Sequence, residues 1–527
     1  MPEVEFTVRW PGGRTQRCIS PSRAIERAVV AGGRYPVAEF LRRTREGLEA
    51  ANARLRSLRG FGCSSASELI EDLAATAAPL PDDALVTVDC VRLVNTPRRV
   101  PAPEHLEGHR SVVVVGGGQA GLAASWELTQ RAIDHVILER DRLASSWRSQ
   151  RWDEFCLVTP NWQCRLPGHP YDGDDPDGFM LKDAIIDYVE RYAARFGPPL
   201  YEGVAVTAVE RRQDGAPFTV TTTRGELTAD NVVIAVGGYH VPRIPRIGGL
   251  MPPGVTQLHS SQYRNPSSLP DGAILVVGSG QSGAQIAEDL HLAGREVHLA
   301  VGSAPRVARR YRGRDCVAWL EDIGHYRMPI TEHPEGPSAR HEPNHYVTGR
   351  GGGRDIDLRA FAREGMRLRG RLLDCAGREL RFAPDLEANL DAADATMERI
   401  KDTIDRWIAT QGLDVPEEAR YEPVWTPPYD GGAPLDLVAG GVRSVIWATG
   451  FVPDWSWVKL DVVDERGHPE HLRGITPVDG LAVLGLPWLH TWGSGRFAGI
   501  AEDAGHVVEQ IAARMGVRAR AGAARAA

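Results

Sequence analysis

The chain has 527 residues, a formal net charge of −8 and 42% hydrophobic residues, the balance of an ordinary globular protein of more than one domain. No basic field is present to hold nucleic acid or an anionic membrane, and no apolar run reaches the ~18 residues of a membrane helix. The opening MPEVEFTVRW lacks the basic and apolar regions of a secretory signal, so a cytoplasmic location is expected.

The first predicted elements are two short strands, VEFTVRW and TQRCIS, flanking the turn Pro11-Gly12-Gly13. PVAEFLRRTREGLEAANARLRSL comes next, with apolar residues at helical spacing. Together they suggest a small α+β domain over residues 1–78. APLPDD and NTPRRVPAPEHLEGH, rich in proline and charge, mark a linker over 79–109. Then comes SVVVVGGGQAGLAASWEL (111–128), an apolar run, three crowded glycines and a helix-like continuation. The pattern recurs as AILVVGSGQSGAQIAEDL (273–290). Two copies with the same flanks point to two Rossmann-like dinucleotide-binding domains in an α/β fold. The second (246–440) is inserted between the parts of the first (110–245 and 441–515), and a disordered tail covers 516–527. Leu386, Leu390, Met397, Ile400, Ile404, Trp407 and Ile408 form a helical stripe that should pack on the body. The seven cysteines never adopt CxxC spacing, which argues against a disulfide framework or a metal knuckle. His325, His333, His341 and His345 are interrupted by Pro334, Pro337 and Pro343, so no metal is expected.

In the first loop Gly116 permits the tight turn, Gly118 leaves room for a phosphate, and Gly121 lets helix and strand pack closely. Gln119 and Ala120 open the helix, whose free N–H groups and dipole attract a pyrophosphate. Glu139, closing the next strand and followed by Arg140, offers an acid to the ribose hydroxyls. This loop reads as a site for an unphosphorylated adenosine. Gly278, Gly280 and Gly283 repeat the pattern, with Gln281 and Ser282 at the helix start. Here the acid is missing: Val301 stands in its place, followed by Ser303, Arg306, Arg309 and Arg310. A hydroxyl and guanidiniums favour a 2′-phosphate that a carboxylate would repel, so the second loop reads as an NADPH site. The other reading of these arginines is a solvated basic loop.

Over about residues 110 to 515 the chain resembles the class B flavoprotein monooxygenases, the flavin-containing monooxygenase group. Besides the loops, the likeness rests on SSWRSQRWDEFCLVTPNW (145–162), IAVGGYHVPRIPRI (234–247), WATGF (447–451) and GLPWLHTWGSGRFAGIAEDAGH (485–506). The resemblance implies FAD in the first loop and NADPH in the second. It implies that Ser146, Trp147 and Arg148 pack by the flavin, that Val206 joins the cofactor contacts, and that Gly237 and Gly450 form the turns where strands leave the two domains. Trp492, Gly493 and Ser494 match the segment closing over the flavin. Asn161 falls where many members place an asparagine near the reactive flavin carbon, although a turn after Pro160 accounts for it almost as well. The fingerprint FxGxxxHxxxW survives only as His259 and an aromatic, Tyr263, within HSSQYR (259–264), which argues against Baeyer–Villiger oxidation. The N-terminal unit resembles small proteins of nitrogen-starvation responses and implies no chemistry.

The resemblance therefore implies an NADPH-using monooxygenase that oxygenates a small N- or S-containing substrate with O2 through a C4a-(hydro)peroxyflavin. Asn161 would hydrogen-bond the peroxide, and His259 and Tyr263 would line the nicotinamide side. HYVTGRGGGRDIDLR (345–359) reads as a lid or as a surface connection. The absent cysteine pair separates the chain from flavin disulfide reductases. Two other readings stay open: an NADPH oxidase or dehydrogenase without oxygen transfer, and a redox sensor with the N-terminal unit as interaction module. A homodimer is compatible with the sequence.

Overall fold

The computed structural model describes residues 4–20, 25–59, 64–93 and 102–517. The chain divides into two compact units, Met1–Arg99 with Ala193–Gly197, and Val100–Tyr192 with Pro198–Ala527.

The smaller unit contains the expected hairpin. β1 (Val4–Arg9) pairs antiparallel with β2 (Thr15–Ser20), Val4 opposite Ser20. β3 (Arg34–Pro36) leads into α1 (Val37–Arg59), and α2 (Ser64–Ala77) leads to β4 (Leu85–Leu93). The sheet order is β2-β1-β4-β3. Alternation on β1 buries Val4, Phe6 and Val8, which meet Phe40, Leu48, Leu73, Val86 and Val88 in one core. β4 corrects the domain boundary, because it lies inside the 79–109 stretch read as linker. Its Val86 and Val88 alternate like any half-buried strand, and the flanking prolines and charges outweighed that signal in the sequence. Residues 94–101 and 518–527, which include part of the expected linker and most of the expected tail, lie outside the described residues.

The larger unit holds two α/β domains, the first with a mixed sheet and the second with a parallel one. The first comprises β5 (His109–Val115), α3 (Gln119–Gln130), β6 (His135–Glu139), β7 (Leu200–Glu202), β8 (Val206–Glu210), β9 (Phe218–Thr222) and β10 (Gly225–Ile234). Its order is β8-β9-β10-β5-β6-β7. Val112 to Val115 are all buried, as expected for a parallel strand covered on both faces.

The second domain comprises β11 (Thr256–His259), β12 (Ala273–Val277), α4 (Gln281–Leu292), β13 (Val297–Ala300), β14 (Arg367–Arg369), α5 (Leu386–Gln411) and β15 (Val442–Trp447). The order β11-β15-β12-β13-β14 is parallel throughout. β15 therefore belongs to the second sheet, and the boundary at residue 441 moves towards the C-terminus. The chain re-enters the first sheet at β16 (Leu481–Val483), parallel to β10, and ends its described part with α6 (Ile500–Arg514). The two crossings pair with each other, Val241 opposite Val452 and Pro242 opposite Phe451. α5 buries Leu386, Leu390, Met397, Ile404 and Ile408, the packing role its stripe suggested. No described helix is long and apolar enough to cross a membrane.

Candidate functional site

Each glycine loop sits where a strand ends and a helix begins, at the carboxyl edge of its sheet. Gly116 has φ +107°, and a Cβ on it would lie 2.6 Å from the Ala235 carbonyl oxygen. Gly278 has φ +102°, and its Cβ would lie 2.7 Å from the Ala448 oxygen. Only glycine fits both requirements. A Cβ on Gly121 or Gly283 would come within 1.9 Å of the carbonyl oxygen of Gly116 or Gly278 respectively, so helix presses on strand without a side chain between. At Gly118 and Gly280 a Cβ would meet no protein atom within 4 Å. These glycines leave space directly above a helix N-terminus, where unpaired N–H groups and the dipole favour a phosphate. The residues thus fit a dinucleotide at each loop.

Electrostatics then separate the loops. Glu139 accepts hydrogen bonds from the Gly117 N–H at 2.7 Å and the Asp141 N–H at 2.8 Å, and burial raises its pKa. The carboxylate stands beside the first glycine turn, as the sequence suggested. In the second domain Ser279 occupies the position of Gly117, and its hydroxyl accepts the Gly302 N–H at 3.0 Å. Among the described residues no acid is hydrogen-bonded to that turn. Gln119 and Gln281, first in their helices, each tie in a remote segment: Nε2 of Gln119 donates to the Gly495 carbonyl at 3.2 Å, and that of Gln281 to the Val347 carbonyl at 2.7 Å. Ala120 is buried at the helix start, while Ser282 and Arg140 are exposed. Ser303 is exposed just beyond β13.

Arg306 and Arg309 are corrections. Both are buried: Arg306 pairs with Asp394 at 2.7 Å and lies over the Tyr421 ring, and Arg309 pairs with Asp315 at 2.7 Å and donates to the Val158 carbonyl. Their charges are spent inside the fold, not offered to a 2′-phosphate. Tyr263 is also corrected: it is fully buried, and its hydroxyl donates to Asp289 at 2.7 Å within the core of the second domain. His259 is equally buried. Its Nε2 bonds the Gly450 carbonyl and its Nδ1 meets the Ser261 hydroxyl, each at 2.9 Å, while burial holds its pKa below the usual value. It anchors the Gly450 turn as a neutral ring and lines no open face. Asn161 spends its side chain on the 175–180 loop, with Oδ1 accepting the Met180 N–H at 2.7 Å and Nδ2 donating to the Asp175 carbonyl at 2.9 Å. Of its two readings, these bonds support the turn.

Trp147 stacks on Phe497 at 5.9 Å, which joins the 145–162 and 485–506 segments. Ser146 is exposed, and Arg148 pairs with Glu190 at 2.6 Å. Ser494 is fully buried, its hydroxyl accepting the N–H groups of His490 and Thr491 at 2.9 Å, while Gly493 packs against Gly499. Trp492 lies against Tyr326. Gly237 and Gly450 both have positive φ in the paired turns, and Val206 packs on the first core. Among the described residues no three His, Cys, Asp or Glu side chains gather to hold a metal ion.

Ser279, Tyr239, Arg151 and Arg496 escaped the sequence reading. All four lie within the segments that carry the resemblance, but nothing local distinguishes an unpaired arginine from a paired one.

Comparison with known proteins agrees with this frame. The family model described as pyridine nucleotide-disulphide oxidoreductase matches residues 113–320, and that described as nitrogen starvation-induced protein NitG matches residues 5–93. A CzcO-like oxidoreductase of Geobacillus kaustophilus is 32% identical over 405 residues, covering 76% of this chain and 97% of the relative. Probable indole-3-pyruvate monooxygenase YUCCA4 of Arabidopsis thaliana is 34% identical over 38% of this chain and 48% of its own. A flavin-containing monooxygenase structure from Stenotrophomonas maltophilia superposes with a TM-score of 0.55 at 20% identity, over 77% of this chain and 99% of that one. The chain thus belongs to the CzcO-like oxidoreductases, a flavin monooxygenase-type family working with FAD and NADPH, and carries a NitG domain ahead of its catalytic body.

Proposed function

We propose that the protein is an NADPH-driven monooxygenase that transfers one oxygen atom of O2 to a small N- or S-containing nucleophile. The observation that carries this is two nucleotide cradles in one body, with no CxxC thiol pair in the sequence. No cysteines share CxxC spacing, Cys156 and Cys164 are buried, and burial pushes their thiols up to about 11 and about 12. A thiol held protonated is a poor redox partner. FAD, when bound, supplies the redox and oxygen chemistry.

The protein's share is binding, orientation and exclusion of water. Gly118 and the start of α3 would hold one pyrophosphate, with Glu139 available to its ribose; Gly280 and the start of α4 would hold the other. His259 fixes the Gly450 turn between the domains, Asn161 fixes the 175–180 loop, and Ser494 fixes the segment at Trp492. The 344–357 stretch is strapped to α4 by Arg350–Asp289 at 2.5 Å, Arg354–Glu288 at 2.9 Å and the Gln281 bond to Val347. That strap limits water at the second loop. The name of the Arabidopsis relative supports oxygen transfer over simple oxidase chemistry.

The test is turnover under 18O2 with a panel of sulfides and amines, read by mass spectrometry, alongside hydrogen peroxide released per NADPH consumed. One 18O per product and a low peroxide ratio are expected. A ratio near one with every substrate assigns an NADPH oxidase instead.

A further inference from the structure

Most arginines around the site already have a carboxylate: Arg148 has Glu190, Arg306 has Asp394, Arg309 has Asp315, Arg350 has Asp289 and Arg354 has Glu288. Arg151 and Arg496 have none among the described residues. Arg151 lies over the rings of Trp147 and Phe155, at 5.3 and 5.4 Å, and donates only to the Gln150 carbonyl at 2.9 Å. Arg496 lies 3.6 Å from the Trp492 ring centroid, donates to the Trp492 carbonyl, and reaches Asn344 Oδ1 at 2.7 Å. The two are neighbours through the Trp147–Phe497 stack, and Tyr239 lies within electrostatic range of both. Both residues are half-buried, and surrounding protein desolvates their guanidiniums enough to hold their pKa below the usual arginine value.

A desolvated cation without a counter-charge is unfavourable unless a ligand supplies one. Aromatic faces fix the planes of both guanidiniums, and a planar fork suits a carboxylate through two parallel hydrogen bonds. We propose that Arg151 and Arg496 form a subsite for the carboxylate of an anionic substrate, so that the nitrogen or sulfur to be oxygenated is carried on a small organic acid. This rests on the monooxygenase reading for its chemistry but not for its binding. The phosphates of FAD or NADPH are the other source of negative charge, since Gly495, bonded to Gln119, directly precedes Arg496.

The test uses the full-length, FAD-loaded protein, titrated with 3-(methylthio)propanoate and with its methyl ester and followed by tryptophan fluorescence, because Trp147 and Trp492 lie against the two guanidiniums. The acid is expected to bind at least tenfold more tightly than the ester. The double substitution R151M/R496M should bring the two together, and R151K/R496K should restore part of the difference. Dissociation constants for FAD and NADP⁺ are measured on the same variants and should stay within twofold of the parent. Equal binding of acid and ester by the parent overturns the proposal, and this comparison decides the matter even where a variant does not fold. A variant that loses FAD or NADP⁺ affinity but still prefers the acid also overturns it, and assigns the cations to cofactor phosphates. Incorporation of 18O is scored separately. Acid binding with no 18O in any product removes the monooxygenase reading and leaves the subsite, whereas 18O entering ester as readily as acid removes the subsite and leaves the reading.

Discussion

The two glycine loops share their steric construction and differ in their charge. In each, the first glycine sits at a positive φ against a carbonyl from the turn after a neighbouring strand, Ala235 or Ala448, and the third glycine is pressed on the first. The middle glycine faces open space in both. The side chain beside the turn is where they part: a buried carboxylate bonded to Gly117 in one, a serine hydroxyl bonded to Gly302 in the other. Backbone geometry is thus reused unchanged, while the charge beside the turn differs between the two loops.

The largest effects come from breaking one loop at a time. Gly118→Val should give folded but colourless protein, since the new side chain meets no protein and blocks only the pyrophosphate. Gly280→Val should stay yellow while its affinity for NADPH falls by roughly a hundredfold, about 2.7 kcal/mol. Absorbance of the bound flavin and anaerobic reduction by NADPH check both; loss of colour in the second variant would show that the loops are not independent.

Next in size is Arg306→Ala. Removing one partner of a buried ion pair costs about 3–5 kcal/mol, so the melting temperature should drop while NADPH and NADH use decline together. A stable variant that loses only its NADPH preference would return Arg306 to the 2′-phosphate.

The charge difference itself is sharpened at Ser303, exposed beyond β13. The parent should prefer NADPH over NADH by roughly tenfold or more. Ser303→Glu should remove about tenfold of that preference, about 1.4 kcal/mol, mostly through KM for NADPH. An unchanged ratio would place the 2′-phosphate elsewhere.

An effect confined to acid pH, and absent near neutrality, concerns the histidine each domain carries on the strand that follows its glycine loop. His135 bonds the Ser125 hydroxyl at 2.7 Å and the Ile133 carbonyl at 2.9 Å. Burial and then Arg369 and Arg367 lower His298 from 6.5 to about 3, and it meets Arg369 at 3.2 Å with Glu296 nearby at 3.9 Å. Between those values the unfolded chain binds the proton and the native ring does not. The contribution is therefore intact above about 6.5 and is lost as pH falls towards 3, by at most about 1.4 kcal/mol per pH unit. Melting temperature against pH should fall less steeply for His298→Gln than for the parent; parallel curves would show that this ring binds its proton equally well in the native and unfolded states.

The sequence by itself determined both loops, their flanking strands and helices, Glu139 and the missing acid after β13, because the partners these features need lie in contiguous chain. Gly121 needs only Gly116, and Glu139 needs only Gly117 and Asp141. It also determined the packing stripe of α5, whose apolar period is local. Tertiary structure decided the rest. β15 joined the second sheet, and β4 joined the N-terminal sheet, through pairing that no local pattern specifies. Arg306 and Arg309 look alike in sequence to phosphate-binding arginines, and distant Asp394 together with Asp315 on the following hairpin turned them inward. The same holds for His259 with Gly450, Tyr263 with Asp289, and Asn161 with the 175–180 loop. Arg151 and Arg496 show the converse, since only the assembled fold reveals that no carboxylate among the described residues reaches them. Glycine sterics act over a few bonds and are legible in a string of residues, whereas whether a charge or hydroxyl is already satisfied depends on what folding brings to it from far along the chain.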